Sequence, residues 1–304
     1  MSKYINPYTD FGFKRLFGEE ASKDILIDFL NSFLPEKHRI QTLEFRNTEQ
    51  LGVIPADRKA VFDICCESEN GEKFIVEMQK AKQDWFKDRA LFYSAFPIRD
   101  QAPKGLVDGE YWNYELKAVY LIAVLGFEYD QEEERQKLQR NVTLKDQDGD
   151  LFYDKLQFIF LQMPLFKKSE SELVTRQDKW YYFLKNLSGL EHIPSILSEP
   201  IFERAFKTAE VAGMTRLELQ TYESHLKAYR DNYAVMETAV NEGMRIGMTK
   251  GIAEGRAKGI AEGRAEGRAE EKFDIARKLK EEGLDPILIA KATGLSIHDV
   301  KQLQ

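Results

Sequence analysis

Cysteine and histidine are scarce in this chain of 304 residues. The two cysteines, Cys65 and Cys66, are adjacent, so they cannot form an ordinary disulfide or a metal knuckle. The four histidines are scattered along the chain, which argues against a histidine-rich zinc site. We therefore expect neither a disulfide scaffold nor a zinc centre built from cysteine and histidine.

Long apolar runs and an excess of positive charge are also missing. The best candidate for a membrane span, residues 118–127, has about half of the ~20 residues that a spanning helix needs and is typical of a buried strand. The N-terminal residues lack the apolar core of a signal peptide, so we expect a cytoplasmic protein. The net charge of −7 does not attract nucleic acid, so any such binding must depend on local basic patches.

The spacing of hydrophobic residues predicts a mixed α/β core with helical cover over residues 1–240. Helical spacing marks residues 10–34 and 83–100 and continues from residue 177 to about residue 240. Strands are predicted at residues 42–45, 60–66, 73–79, 117–127 and 156–163. Asn70 and Gly71, between the second and third of these strands, are typical of a β-hairpin turn.

Three polar side chains stand out in the predicted hairpin because their strands are otherwise apolar: Asp63, Glu77 and Gln79. Burying a carboxylate is costly unless it is paired or binds a metal. Glu77 and Gln79 are two residues apart and project from one face, and Asp63 on the partner strand can lie on that side. Two carboxylates, an amide and water suit Mg²⁺. The alternative is that each carboxylate lies on a solvated face of the sheet.

The composition changes abruptly near residue 241. Glycine recurs at every fourth position from Gly243 to Gly267, without proline, serine or asparagine between. Residues 241–272 are therefore either a helix whose small-residue stripe allows close packing against a second helix, or a flexible linker. Residues 273–304 predict a small helix-turn-helix-like unit, which either packs and oligomerises or binds DNA.

The order of motifs resembles the Rpn family of recombination-promoting nucleases, also described as transposases, of the PD-(D/E)XK nuclease superfamily. The resemblance covers roughly residues 3–240, and the glycine segment and small C-terminal unit also look like the tails of that family. It rests on TDFGFKRLFG at 9–18, AVFDI at 60–64, FIVEMQ at 74–79, Arg89 and Tyr93, and YELKAVYLIAVL at 114–125.

The resemblance implies a restriction-endonuclease-like core and Mg²⁺-dependent (or Mn²⁺-dependent) cleavage of DNA phosphodiesters. It implies that Asp63 and Glu77 are metal ligands and that Gln79 belongs to the catalytic set. The superfamily usually has a lysine two residues after the acid, where this chain has Gln79. An amide can orient a water molecule or ligate weakly, but it cannot stabilise a phosphate as a cation does. In a regular strand Lys80 is expected on the face opposite to Glu77 and Gln79. Lys82 lies just beyond the strand, so its side chain could turn back toward the site.

Further candidates lie around the predicted site. Asp10 and Lys14 are four residues apart on a predicted helix, a spacing that is typical of a surface salt bridge. The alternative is that they contact the active site or the substrate. Asp57 lies in a loop before the Asp63 strand. It is either part of the site or a residue of a solvated turn. Lys82 and Arg89 belong to a basic and aromatic patch that suits phosphate contacts, with a solvated helix face as the alternative.

Two functions from different classes follow from these observations. The first is a Mg²⁺-dependent DNA endonuclease that promotes recombination or transposon-like DNA movement and forms a homo-oligomer, a dimer, through its C-terminal segment. The second is a catalytically weakened DNA-binding or assembly protein on the same fold, which has lost the chemistry together with the lysine.

Overall fold

The computed structural model describes residues 2–50, 60–102, 112–128 and 136–303. Its contacts divide the chain into two compact units, Met1–Arg230 and Asp231–Gln304. The helices are α1 (Asp10–Phe17), α2 (Lys23–Phe33), α3 (Phe86–Arg99), α4 (Arg176–Asn186), α5 (Pro200–Ala209), α6 (Arg216–Glu281), α7 (Pro286–Thr293) and α8 (Ile297–Gln302). The strands are β1 (Leu43–Phe45), β2 (Glu49–Gln50), β3 (Ala60–Val61), β4 (Ile64–Ser68), β5 (Lys73–Gln79), β6 (Val119–Leu125), β7 (Gln139–Lys145) and β8 (Leu151–Gln162).

The main sheet of the first unit is mixed, with the strand order β1-β4-β5-β6-β8-β7. β5, β6 and β8 are parallel neighbours, and the remaining pairs are antiparallel. β6, the middle one of these three strands, is apolar and buried along its whole length because both faces of the sheet are covered. This architecture confirms the predicted α/β class, a mixed sheet covered by helices.

The predicted hairpin is present as β4 and β5, joined by a turn in which Gly71 has a φ of +79° and donates its N–H to the Ser68 carbonyl. The prediction of one strand over residues 60–66 is wrong. β3 ends at Val61, the chain bends at Asp63, and β4 begins at Ile64. The reason is that β3 pairs with β2 in a separate small sheet, whereas β4 pairs with β5.

The two faces of the sheet have different cores. Helices α1, α2, α4 and α5 cover one face, where Phe17, Phe29, Trp180 and Phe202 lie in mutual contact and are fully buried. Burying each such side chain contributes roughly 1.5–3 kcal/mol to folding. Helix α3 covers the other face, and the odd-numbered residues of β5 point toward it. Ile75 there joins a smaller core with aromatic residues from α3 and β8.

Helix α1 is fixed at its N-terminus by contacts with α6. Thr9 caps α1 by accepting the Gly12 N–H, and a Cβ at Gly12 would lie 2.2 Å from the Asn6 carbonyl oxygen, so a larger residue does not fit. The Asn6 N–H donates to the Tyr222 hydroxyl at 2.9 Å, and the Phe11 N–H donates to His225 Nδ1 at 3.1 Å. The contacts fix the position of Asp10 and Lys14 on α1.

The second unit has little core. The whole glycine segment is helical within α6, and around a Cβ built on any of its seven glycines there is open space within 4 Å. Ala276, Ile289 and Val300 form a small core between the end of α6, α7 and α8. Asp285 caps α7, and Ser296 caps α8. Among the described residues, no helix is both long enough and apolar enough to cross a membrane.

Candidate active site

The bend before β4 brings Asp63 next to Glu77. Asp63 lies one residue before the paired residues Ile64 and Val76. Its N–H donates to Glu77 Oε1 at 3.3 Å, and its Oδ2 accepts the Met78 N–H at 2.7 Å. The Glu77 carboxylate therefore accepts a hydrogen bond from the Asp63 backbone, and the Asp63 carboxylate accepts one from the backbone of Met78, the residue after Glu77. The two acids that the sequence singled out are brought together.

Gln79 completes this group on the α3 face of the sheet. Its Nε2 donates to Glu77 Oε2 at 3.0 Å, as expected for side chains two residues apart in a strand. Glu77 is only 5% exposed, so the alternative of a solvated face is wrong for this residue. Glu77, Gln79, Arg89 and Tyr93 line a cavity of about 10 Å³, with room for about one water molecule.

Both carboxylates have raised pKa values. Burial raises the pKa of Glu77 to about 8, and the adjacent Asp63 charge adds to this effect. Burial also raises the pKa of Asp63, against the Met78 N–H hydrogen bond and the positive charges of Lys14 and Lys80. A buried pair of like charges is costly, so a bound cation would favour the ionised form of both groups.

The Arg89 guanidinium lies next to Gln79, the residue that stands where the superfamily usually has a lysine. Arg89 on α3 donates to Gln79 Oε1 and, at 2.6 Å, to Gln83 Oε1. Its central carbon is 5.8 Å from the centre of the Tyr93 ring, and its charge lowers the pKa of Glu77. Sequence spacing placed Arg89 in a basic patch but could not show its contact with Gln79, because that contact joins β5 to α3.

Asp10 and Lys14 form the predicted salt bridge, with 3.0 Å between Oδ1 and Nζ. The same two charges act on Asp63: Asp10 raises its pKa and Lys14 lowers it. The salt bridge is therefore present, and a contact of this pair with the site or the substrate stays a prediction. The α1 N-terminus, fixed by α6, carries these charges to the Asp63 side of the site.

The remaining candidates lie farther away. Lys80 is on the opposite face from Glu77, as predicted, with its Nζ 5.9 Å from the Tyr229 ring centre. Its positive charge still lowers the pKa of Asp63. Lys82 is exposed just beyond β5, and the structure gives it no hydrogen bond to either carboxylate. Asp57 lies outside the described residues.

The donor set suits a small, hard cation. Within the described ranges, no group of three or more histidine, cysteine, aspartate or glutamate residues could hold a metal. Asp63 and Glu77 supply two carboxylates, and Mg²⁺ is usually bound through one or two carboxylates while keeping several waters. The residues present therefore fit Mg²⁺ or Mn²⁺ better than zinc, which needs a fuller set of protein ligands.

Comparison with known proteins agrees with this geometry. A family model described as a PD-(D/E)XK nuclease family transposase matches residues 7–239. That range includes the full sheet, Asp63, Glu77 and α3. No curated protein and no solved structure gives a significant match. The mixed sheet covered by helices fits the restriction-endonuclease-like fold of this superfamily, and the chain belongs to the PD-(D/E)XK nuclease family transposases.

Proposed function

We propose that the protein is a Mg²⁺-dependent DNA endonuclease that promotes recombination or transposon-like DNA movement. The observation that carries this proposal is the pairing of the half-buried Asp63 with the buried Glu77 at the end of β5. Two acids with raised pKa values in a chain of nuclease ancestry suit metal-assisted hydrolysis better than packing, because a purely structural pair would cost stability.

Asp63 and Glu77 are the residues that would hold Mg²⁺ or Mn²⁺. When bound, such an ion lowers the pKa of a coordinated water and offsets the charge that builds up on the phosphate. The Met78 N–H and the Asp63 N–H keep the carboxylate oxygens oriented by their hydrogen bonds. Gln79 orients Glu77 from the other side through its amide nitrogen.

Arg89 supplies the positive charge that Gln79 lacks. Its guanidinium contacts Gln79 directly, next to the carboxylate pair. A guanidinium binds phosphate oxygens with two parallel hydrogen bonds and stays charged at all relevant pH values. Arg89 can therefore hold a non-bridging phosphate oxygen of DNA once the phosphodiester displaces its present contacts with Gln79 and Gln83.

The C-terminal segment supplies self-association. A nuclease that cuts both strands of DNA needs two active sites, and two-fold symmetry is the commonest way to provide them. The open space around the seven glycines of α6 leaves room for the backbone of a second helix. This supports a homodimer formed through residues 241–304.

The decisive experiment is plasmid nicking with Mg²⁺, Mn²⁺ and Ca²⁺ for the wild type, Asp63→Asn and Glu77→Gln. Both substitutions keep the side-chain size, so we expect folded proteins whose cutting rate falls by more than the roughly 10- to 100-fold that loss of an outer-shell partner of a metal site costs. Asp84→Asn, which changes an exposed acid of the same region, is the matched control. Calorimetric titration with Mn²⁺ reports ion binding separately from activity.

The competing reading is a protein that binds DNA but does not cut it. It is favoured by the amide at position 79 in place of a lysine. Wild-type protein that binds DNA equally with and without metal, and that never nicks the plasmid, would support it. A folded Asp63→Asn variant that cuts at the wild-type rate would overturn the assignment of the site.

A further inference from the structure

The segment that follows β5 is locally basic in an acidic chain. Residues 80–89 carry four positive side chains, Lys80, Lys82, Lys87 and Arg89, and two negative ones, Asp84 and Asp88. The segment therefore has a net charge of +2, against −7 for the chain as a whole. Nucleic-acid contact in such a protein must use patches of this kind.

Trp85 lies in the middle of this segment and is 75% exposed. Tryptophan is highly buried on average, and Trp180 of the same chain is fully buried in the main core. Packing does not account for a tryptophan this far out of the protein. An exposed indole among cations is the arrangement that single-stranded nucleic-acid sites use, with a ring for the base and positive charge for the backbone.

The position of Trp85 ties it to the carboxylate pair. Its carbonyl oxygen accepts the Arg89 N–H at 3.0 Å, so Trp85 and Arg89 are one helical turn apart at the start of α3. That separation is about 6 Å of rise. Arg89 in turn reaches Gln79, which contacts Glu77. A nucleotide whose phosphate lies at Arg89 therefore has its base within reach of the Trp85 ring.

We infer that Trp85 is the stacking platform for an unpaired nucleobase next to the phosphate that is cut, so the preferred substrate is DNA with a single-stranded or unpaired segment. The inference rests on the proposed nuclease function and specifies its substrate class. A base inside a duplex has both faces covered by its neighbours, so it cannot stack on an external ring without leaving the helix. A protein that presents such a ring beside its active site selects bases that are already unpaired.

The test measures binding of the full-length protein to a short, fluorescein-labelled oligothymidylate, to the matching duplex and to an abasic strand of equal length, all without divalent metal. We expect Trp85→Ala to weaken binding to the oligothymidylate roughly 5- to 150-fold, the loss of about one stacked base. Trp85→Phe should keep most of the affinity because it keeps an aromatic face. The abasic strand should bind wild type and Trp85→Ala alike.

The matched control is Phe152→Ala, which removes an aromatic ring that is 77% exposed on β8, and we expect it to change nothing. Tryptophan emission gives a second readout: the oligothymidylate should quench it in the wild type and not in Trp85→Phe. Equal binding by wild type and Trp85→Ala, or a duplex bound as tightly as the single strand, would overturn the inference. If metal-dependent nicking persists in that case, the proposed nuclease function stands, whereas absence of both DNA binding and nicking would overturn both.

Discussion

The two units of the chain are built in opposite ways. Met1–Arg230 packs a sheet between helices and buries most of its large apolar side chains, whereas Asp231–Gln304 exposes nearly all of a long helix and has a core centred on three buried side chains. The first unit can therefore fix the position of a carboxylate pair through tertiary contacts. The second unit has mainly local interactions and a row of small residues. Any binding partner would therefore have to recognise a regular helix surface rather than a pocket.

Glycine makes the contrast sharper. Each glycine in a helix interior costs about 1 kcal/mol relative to alanine, so the seven glycines of α6 cost about 7 kcal/mol. The i,i+4 pairs of Lys250 with Glu254 and of Lys258 with Glu262 return only about 0.3–0.5 kcal/mol each. A helix with this balance needs packing from outside its own residues, which agrees with the proposed dimer.

The largest expected effect tests how unequally stability is divided between the units. Trp180→Ala should destabilise the first unit by about 3–5 kcal/mol, because it leaves a cavity among Phe17, Phe29 and Phe202. Ile252→Ala, which shortens a side chain that is 60% exposed in α6, should change the unfolding free energy by less than about 0.5 kcal/mol. Urea unfolding followed by circular dichroism measures both, and equal effects would contradict the contrast.

The next prediction concerns the open surface of α6. Replacing Gly251, Gly255 and Gly259 by leucine should convert the proposed dimer to a monomer, because the side chains would separate the two helix backbones that the proposal packs together. Leucine also raises helix propensity, so a helix that only acts as a spacer should tolerate the change. The matched triple alanine variant keeps the stripe small and should retain self-association better than the leucine variant. An unchanged sedimentation coefficient for the leucine variant would remove the packing hypothesis.

A smaller effect is expected at the contact between β5 and α3. Arg89→Ala should lower the nicking rate about 10- to 100-fold, as loss of a supporting contact does. If Arg89 supplies the missing cation, Gln79→Lys should restore part of the rate in the Arg89→Ala background. Gln79→Ala alone should cost less than Asp63→Ala, because a neutral partner contributes less than a charged one. Loss of all activity in Arg89→Ala with no rescue by the lysine would show that the guanidinium geometry itself is needed.

The smallest effect is a pH dependence confined to the first unit. Burial opposes ionisation of Asp178, but its hydrogen bonds with Lys168, Thr175 and Val174 lower its pKa to about 2. The folded pKa lies below the ordinary value near 3.9, so its stabilisation is present above about pH 4 and is lost as the pH falls toward 2. Asp178→Asn should therefore cost roughly 1 kcal/mol at pH 7 and almost nothing near pH 2.

The control for this effect is Asp285→Asn, which changes the N-cap of α7 in the second unit. Asparagine caps a helix about as well as aspartate, so the urea midpoint should stay the same at both pH values. A gap between wild type and Asp178→Asn that persists at pH 2 would contradict the assigned cause.

The sequence predicted much of the first unit because its signals are local. Two short apolar runs and the Asn70-Gly71 turn between them predicted the β4–β5 hairpin, and the two-residue spacing placed Glu77 and Gln79 on one face. The bend at Asp63 was missed because it depends on the pairing of β3 with β2, which periodicity does not show. The contact of Arg89 with Gln79 was missed for the same kind of reason, since it joins residues from a strand and a helix.

The second unit was predicted only in part. A fixed four-residue period favours helix, and the segment is helical. A partner that would pack against its glycines cannot be predicted from one sequence, because a small residue permits close approach without identifying the partner. The packing hypothesis therefore stays a prediction.

The hydrogen bonds at the Asp63 bend have a spectroscopic consequence. The Asp63 and Met78 amide protons each point at a carboxylate oxygen of the pair, so their chemical shifts must respond when those oxygens gain a proton or a cation. In an ¹⁵N-labelled sample, these two peaks would act as built-in reporters of site occupancy without any attached probe. A titration followed at both would separate ion binding from proton uptake in a single experiment, even in a variant that cannot cut DNA.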